Sequence, residues 1–168
     1  ITGSSGKTTV KDLVGNLLKS YGETYFSPRS FNNSYGVPLS LCNLEKNHKF
    51  GVFEIGMSRK GEINILSKIV KPNIAIITNV AEAHIENFKD LNHIAKAKGE
   101  IIENISKSGS LIIDRDGRFY KYFKSRAEKK GLKVFSVGNN SKADVQILKI
   151  KNFYKYKLVT IKSFKKIY

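Results

Sequence analysis

A chain of 168 residues with a formal charge of +16 has the size of one domain and attracts anions such as nucleotides, phosphorylated metabolites, nucleic acid or acidic lipid. Its hydrophobic share of 40% is enough for a core, while no apolar run approaches the ~18 residues that span a bilayer and no signal peptide opens the chain, so the expected location is the cytoplasm. The single cysteine excludes an internal disulfide and a cysteine zinc cluster, and Cys42 is expected to be a small buried side chain.

In chain order, Ile1-Thr2 reads as the end of the strand that should support the following loop, too short to anchor anything. The loop Gly3-Ser4-Ser5-Gly6-Lys7-Thr8-Thr9 follows, and then Val10, Leu13, Val14, Leu17 and Leu18 recur at helical spacing up to a stop at Gly22. Strand, glycine-rich turn and helix in that order form a P-loop context: glycines let successive backbone N–H groups face a phosphate, and the helix adds its positive end. Lys7 is then placed for β and γ phosphates, and the Thr8 hydroxyl for Mg²⁺. The strict pattern asks for glycine where Ile1 stands, and the bland alternative is a glycine-rich turn with an incidental lysine.

Arg29 to Pro38 is a loop crowded with amides, open to two readings: plain turn chemistry or substrate contact. Phe50 to Ile55 reads as a buried strand with Glu54 near its C-terminal end, where open sheets bind ligands. That carboxylate holds a metal, orients water or faces solvent. Ile63, Leu66, Ile69 and Val70 fit a helix closed before Pro72. Asn73 to Thr78 has no alternation and reads as a central strand buried on both faces. His84 follows it, with Asn79 and Glu82 nearby; a lone histidine is as readily a surface residue as a ligand. His48 and His93 read as surface residues.

A helix from Asp90 to Asn104 places Leu91, Ile94, Ala95, Ile101, Ile102 and Ile105 on one face, with Lys98 inside that stripe. A lysine there either snorkels outward or has a buried role. Lys96 and Glu100 lie off the stripe and read as solvent residues. Strands follow at Ser110–Asp114 and Leu132–Val137, with a helix from Phe119 to Lys130 between them. Val145–Ile150 and Lys157–Lys162 form an antiparallel pair. The fold class is α/β: a mostly parallel sheet flanked by helices, plus a small antiparallel β addition near the C-terminus.

The stretches Ile1–Thr9, Ser30–Leu41, Phe53–Gly61, Thr78–His84 and Ala95–Ile101 together resemble the central domain of the Mur ligases. Phe31-Asn32-Asn33 with Gly36-Val37-Pro38, Glu54-Ile55-Gly56-Met57 and Ala97-Lys98-Gly99-Glu100-Ile101 are most similar to the family member that adds D-alanyl-D-alanine to UDP-N-acetylmuramoyl-tripeptide. The resemblance implies ATP and Mg²⁺ as cofactors, an acyl phosphate intermediate and a role in peptidoglycan synthesis. It implies that Gly3, Ser4, Ser5, Gly6, Lys7, Thr8 and Thr9 hold phosphates and that Thr8 with Glu54 serves one Mg²⁺. His84 matches a ligand of a second Mg²⁺, and Lys98 matches a lysine carried as a carbamate. Asn79 lies beside the nucleotide, Asp116 near the ribose, and Asn32 and Asn33 near the muropeptide. Asp114 stands where the family shows an asparagine near the adenine, and an ionised aspartate cannot donate a hydrogen bond.

The resemblance also implies that residues 1–168 are a central domain cut at both ends, without the N-terminal UDP-binding and C-terminal ligase domains, and inactive alone. The competing readings are another Mur-type ligase or a folylpolyglutamate synthase, which matches the asparagine loop less well; a P-loop kinase or NTPase, which favours aspartate where Glu54 stands; and a basic RNA-binding module, drawn from charge alone. Its best site is Lys149–Tyr168, where Phe153, Tyr154 and Tyr156 sit among lysines.

Overall fold

The computed structural model describes residues 1–82, 88–164 and 166–168. The chain runs α1 (Lys7–Leu18), β1 (Thr24–Phe26), α2 (Gly36–Cys42), β2 (Phe50–Val52), α3 (Glu62–Val70), β3 (Ile74–Ile77), α4 (Leu91–Lys98) with a 3-10 continuation over Gly99–Asn104, β4 (Ser110–Asp114), α5 (Tyr120–Lys129), β5 (Lys133–Gly138), β6 (Val145–Asn152), β7 (Lys157–Ser163) and β8 (Lys166–Ile167). Strands β3, β4, β5 and β6 pair in parallel, and β6, β7 and β8 are antiparallel. β1 and β2 form a separate parallel pair. The expected α/β class with an antiparallel addition is therefore present, with β1, α2 and β8 as further elements.

Ile1 and Thr2 join the two sheets. Ile1 N donates to the Phe53 carbonyl at 2.8 Å and Ile55 N donates to the Ile1 carbonyl at 2.8 Å. On the other side, Thr2 N donates to Ile76 O and Thr78 N to Thr2 O, both at 2.9 Å. The two-residue strand expected to be too short to anchor anything is held on both edges, because each backbone polar group finds a partner on a neighbouring strand. Everything following Thr2, Val52 and Ile77 emerges at one end of the sheet.

The core lies where α3, α4 and its 3-10 continuation meet the sheet: Ile55, Ile63, Ile94, Ile101, Leu111 and Ile113 are all buried. Each such side chain contributes ~1.5–3 kcal/mol relative to an exposed position. Asp90 caps α4, its carboxylate accepting from His93 N at 2.9 Å, which fixes the start of the helix that carries Lys98. No helix among the described residues is long and apolar enough to cross a membrane.

Several expectations about faces do not hold. The buried residues of α1 are Lys11 and Gly15, and Leu13 and Leu17 are exposed. Gly15 explains this: a Cβ there would strike the Phe26 ring, so the bare backbone lets α1 approach β1 on that side. Leu13 and Leu17 each lie two residues, about 200°, from that contact face. Cys42 is exposed, because the buried face of α2 is Gly36, Val37 and Ser40. Ile69 and Ile74 are also exposed: Ile69 lies off the face of α3 formed by Ile63, Leu66 and Ser67, and Ile74 opens β3 at the sheet margin. The amide-rich loop ends earlier than Pro38, since α2 begins at Gly36.

Candidate active site

The first turn of α1 faces the end of the sheet where Thr2, Glu54 and Thr78 emerge. Gly6 adopts a left-handed conformation (φ 75°) at the N-cap, and no side chain caps the helix. Gly3 passes against β3, where any Cβ would collide with Thr78 Oγ1. The loop is fastened from the β3 side. Thr78 Oγ1 donates to Ser5 O at 2.6 Å, Asn79 Nδ2 to Ser5 Oγ at 2.9 Å, and Ser5 N to Asn79 Oδ1 at 3.1 Å. Ser4 N donates to Asn79 O, and Ser4 Oγ bonds the Ala81 backbone. Asn79 therefore shapes the loop itself.

Glu54 is 1% exposed. One carboxylate oxygen accepts from Thr8 Oγ1 at 2.7 Å and the other from Asn32 Nδ2 at 2.7 Å. The solvent-facing alternative for Glu54 is excluded by that burial. The Thr8 hydroxyl has a single proton, given to Glu54, and keeps lone pairs for a cation. A buried carboxylate and a hydroxyl suit a hard ion such as Mg²⁺, which prefers oxygen. No cluster of three or more His, Cys, Asp or Glu side chains that could hold a metal exists among the described residues. His84 lies outside the described residues.

Asn32 and Asn33 differ in their tasks. Asn32 reaches Glu54, and its carbonyl accepts from Gly56 N at 2.8 Å. Asn33 Oδ1 accepts from Tyr35 N and Gly36 N, at 3.1 and 2.9 Å, and so starts α2. Both residues line a cavity of about 380 Å³ together with Gly3, Ser4, Lys7 and Lys98. Met57, Ile65 and Leu66 give this cleft an apolar wall.

Lys98 is 3% exposed and directs its side chain to that cleft. Its helix buries Ile94, Ala95 and Ala97 around it, so the ammonium does not snorkel to the outer surface. Burial, and secondarily the charge of Lys7, lowers its pKa from 10.5 to about 8. The neutral, nucleophilic amine is thus reached at lower pH than in an ordinary lysine. Lys7 donates to the Gly3 carbonyl at 3.1 Å and lines the same cleft.

A smaller cavity, about 70 Å³, lies beyond Asn79 and includes Asp114 and Phe119. Asp116 is turned away from it. Its carboxylate accepts from Asn139 N, Asn139 Nδ2 and Asn140 N, at 2.6, 3.1 and 3.0 Å. These bonds, the Asn139 N–H foremost, hold its pKa below the ordinary value. Sequence reading missed Glu100, taken for a solvent residue. Its carboxylate accepts from Gly61 N and Asn64 N and so caps α3 beside the cleft. Its partners lie almost 40 residues away, and nothing local signals them.

A glycine-bounded helix N-terminus and a buried lysine thus share one cleft, and a buried glutamate bonded to the loop threonine reaches it through Asn32. A family model described as Mur ligase middle domain matches residues 1–167. The chain belongs to the Mur ligase middle domain family. The UDP-N-acetylmuramoyl-tripeptide–D-alanyl-D-alanine ligase of Buchnera aphidicola (subsp. Baizongia pistaciae) is 40% identical over 141 residues, 84% of this chain and 31% of the relative. A crystal structure of MurF from Acinetobacter baumannii superposes with a TM-score of 0.92 at 31% identity, covering 99% of this chain and 36% of that one. MurF from Thermotoga maritima, solved in complex with ADP, gives 0.89 at 28% identity, over 100% of this chain and 38% of that one. This Mur ligase middle domain thus spans about a third of the length of the curated relative.

Proposed function

We propose that this domain is the ATP-binding part of an amide ligase that joins D-alanyl-D-alanine to UDP-N-acetylmuramoyl-tripeptide, in a protein whose other domains hold the uridine nucleotide and the incoming dipeptide. The observation that carries the reading is the convergence of Lys7, Asn32 and Lys98 on one cleft, with Glu54 bonded behind it to Asn32 and Thr8. The naming of the similar ligases supports the choice of substrates.

In this reading the loop Gly3 to Thr9 and the N-terminus of α1 receive the ATP phosphates, through amides other than those of Ser4 and Ser5, which Asn79 holds, and Lys7 offsets charge on the γ-phosphate. The terminal carboxylate of the tripeptide attacks the γ-phosphorus, an O–P bond forms and ADP leaves. The dipeptide amine then attacks the acyl carbon, and collapse of the tetrahedral adduct expels phosphate and leaves the amide. Positioning and electrostatics supply most of the acceleration in such transfers. Thr8 and Glu54 would hold one Mg²⁺, and His84 would serve a second. The ion's chemistry there is neutralisation of phosphate charge.

Lys98, as neutral amine, adds to CO₂: a C–N bond forms, the amine proton is released and an anionic carbamate results. Its two oxygens suit Mg²⁺ where an ammonium would repel it. Asn32 and Asn33 face the muropeptide, and Asn79 holds the loop beside the nucleotide. The small cavity at Asp114 and Phe119 is the place for the base. Asp116 holds the Asn139–Asn140 turn and, being exposed, keeps lone pairs for a ribose hydroxyl.

The test is incubation of the full-length protein with ATP, UDP-N-acetylmuramoyl-tripeptide and D-alanyl-D-alanine, following phosphate release and the mass of the product. One amide bond per phosphate is expected, and no product from residues 1–168 alone. Glutamate addition to a folate in place of the pentapeptide would transfer the reading to a folylpolyglutamate synthase.

A further inference from the structure

Among the described residues Lys11 is the largest fully buried side chain, at 0% exposure, and none of the chemistry above uses it. It sits one turn beyond Lys7 on α1 and does not line the cleft. Burying an ammonium is costly unless it is paired and hydrogen-bonded, and a methionine would fill similar space without that cost. The amine therefore has work that an apolar side chain cannot do. Its Nζ donates to the Arg29 carbonyl at 2.6 Å and pairs with Asp12 Oδ1 at 3.1 Å.

Arg29 opens the asparagine loop and stands at φ 46°, a left-handed conformation unusual for a residue with a side chain. Directly after it the backbone turns tightly, with Phe31 N donating to Pro28 O and Asn32 N to Ser30 O. The far end of the turn is held by Gly56 N on the Asn32 carbonyl and by Asn32 Nδ2 on Glu54. Glu54 in turn accepts from Thr8 on α1. The loop is therefore tied to the same helix twice, once through Lys11 and once through Glu54 and Thr8.

We propose that Lys11 is a positioning residue that fixes the asparagine loop to the phosphate-binding helix, so that the muropeptide carboxylate and the γ-phosphate are held in one frame. This rests on the proposed role of Asn32 and Asn33 toward the muropeptide. Lys11 touches neither substrate. It acts by setting where Arg29 turns, and thereby where Asn32 points. Small misplacement of a reacting group is enough to slow transfer.

The experiment uses the full-length ligase with Lys11→Met and Lys11→Arg. In Lys11→Met the KM for UDP-N-acetylmuramoyl-tripeptide is expected to rise about tenfold with reduced kcat, while the KM for ATP changes less than about twofold. Lys11→Arg, which keeps a charged donor, recovers most of the loss. Amide hydrogen exchange at Phe31 and Asn32 accelerates in Lys11→Met while the amides of α1 keep their protection. In an Asn32→Ala background, Lys11→Met adds little further increase in the muropeptide KM, since both act through one loop. Equal changes in both KM values, additive effects in the double variant, or unchanged exchange at Phe31 and Asn32 would each overturn the proposal. Should Lys11→Met fail to fold, Lys11→Gln, a shorter neutral donor, is read the same way: faster exchange at Phe31 and Asn32 is expected, and wild-type exchange overturns it. A wild-type protein inactive on these substrates would count against the proposed function, and the exchange comparison would still decide the role of Lys11.

Discussion

Helices α1 and α4 each bury a lysine, yet the two lysines are opposites. Lys11 donates a hydrogen bond to the Arg29 carbonyl, pairs with Asp12 and is sealed in. Lys98 faces a cleft, next to the positive charge of Lys7, with its pKa lowered to about 8. Burial of an ammonium alone therefore says little about function. What surrounds the amine decides whether it is a fixed tie or a reactive group. The two helices also differ in how their faces are set. The apolar stripe of α4 is the face that packs, whereas on α1 the glycine and the lysine turn inward and Leu13 and Leu17 stay outside.

The largest expected effect breaks the comparison at the residue common to both helices' surroundings. On the proposed function, Lys7→Ala should lower phosphate release by the full-length protein about 10³-fold, the scale of removing one preorganised electrostatic contact, with little change in melting temperature. Turnover near wild type would remove Lys7 from the phosphate site.

Lys98→Arg sharpens the contrast. Arginine keeps the positive charge and cannot form this carbamate, so activity should fall 10²–10³-fold. Lys98→Ala should fall similarly and regain part of its rate with added bicarbonate or a short carboxylic acid. A fully active Lys98→Arg enzyme in CO₂-depleted buffer would end the carbamate reading.

The third prediction concerns pH. The folded pKa of Lys98, about 8, lies below its ordinary 10.5. Between those values the unfolded chain binds more protons than the folded one, so stability from this group rises with pH across that window. Below pH 8 both states are protonated and the group adds no slope. In CO₂-free buffer the gain is on the order of 3 kcal/mol, and denaturant unfolding at several pH values should show it in wild type and not in Lys98→Met. Equal slopes in the two proteins would contradict the buried amine.

The smallest effect tests the misread face of α1. Leu17→Ser in residues 1–168 should change stability by no more than ~0.5 kcal/mol, whereas Ile101→Ala should cost ~2–5 kcal/mol. A large loss at Leu17, measured by urea unfolding, would mean that the helix packs on its leucine side.

Local order in the chain was enough to read the main elements. Apolar runs placed β3, β4 and β5, periodicity placed α3 and α4, and the glycines around Lys7 marked the loop, because backbone conformation follows from nearby spacing. The position of Lys98 within a stripe of isoleucines was equally visible. The sequence could not show that Ile1 and Thr2 are held between two strands, that Glu100 caps α3, or that Asp116 is occupied by the Asn139–Asn140 turn. Nor could it show which face of α1 is buried. Those outcomes depend on partners far apart in the chain, such as Phe26 against Gly15 and Arg29 on Lys11. A side chain's use is set by whatever polar group or steric gap the packed neighbour presents, and only tertiary structure brings that neighbour within reach.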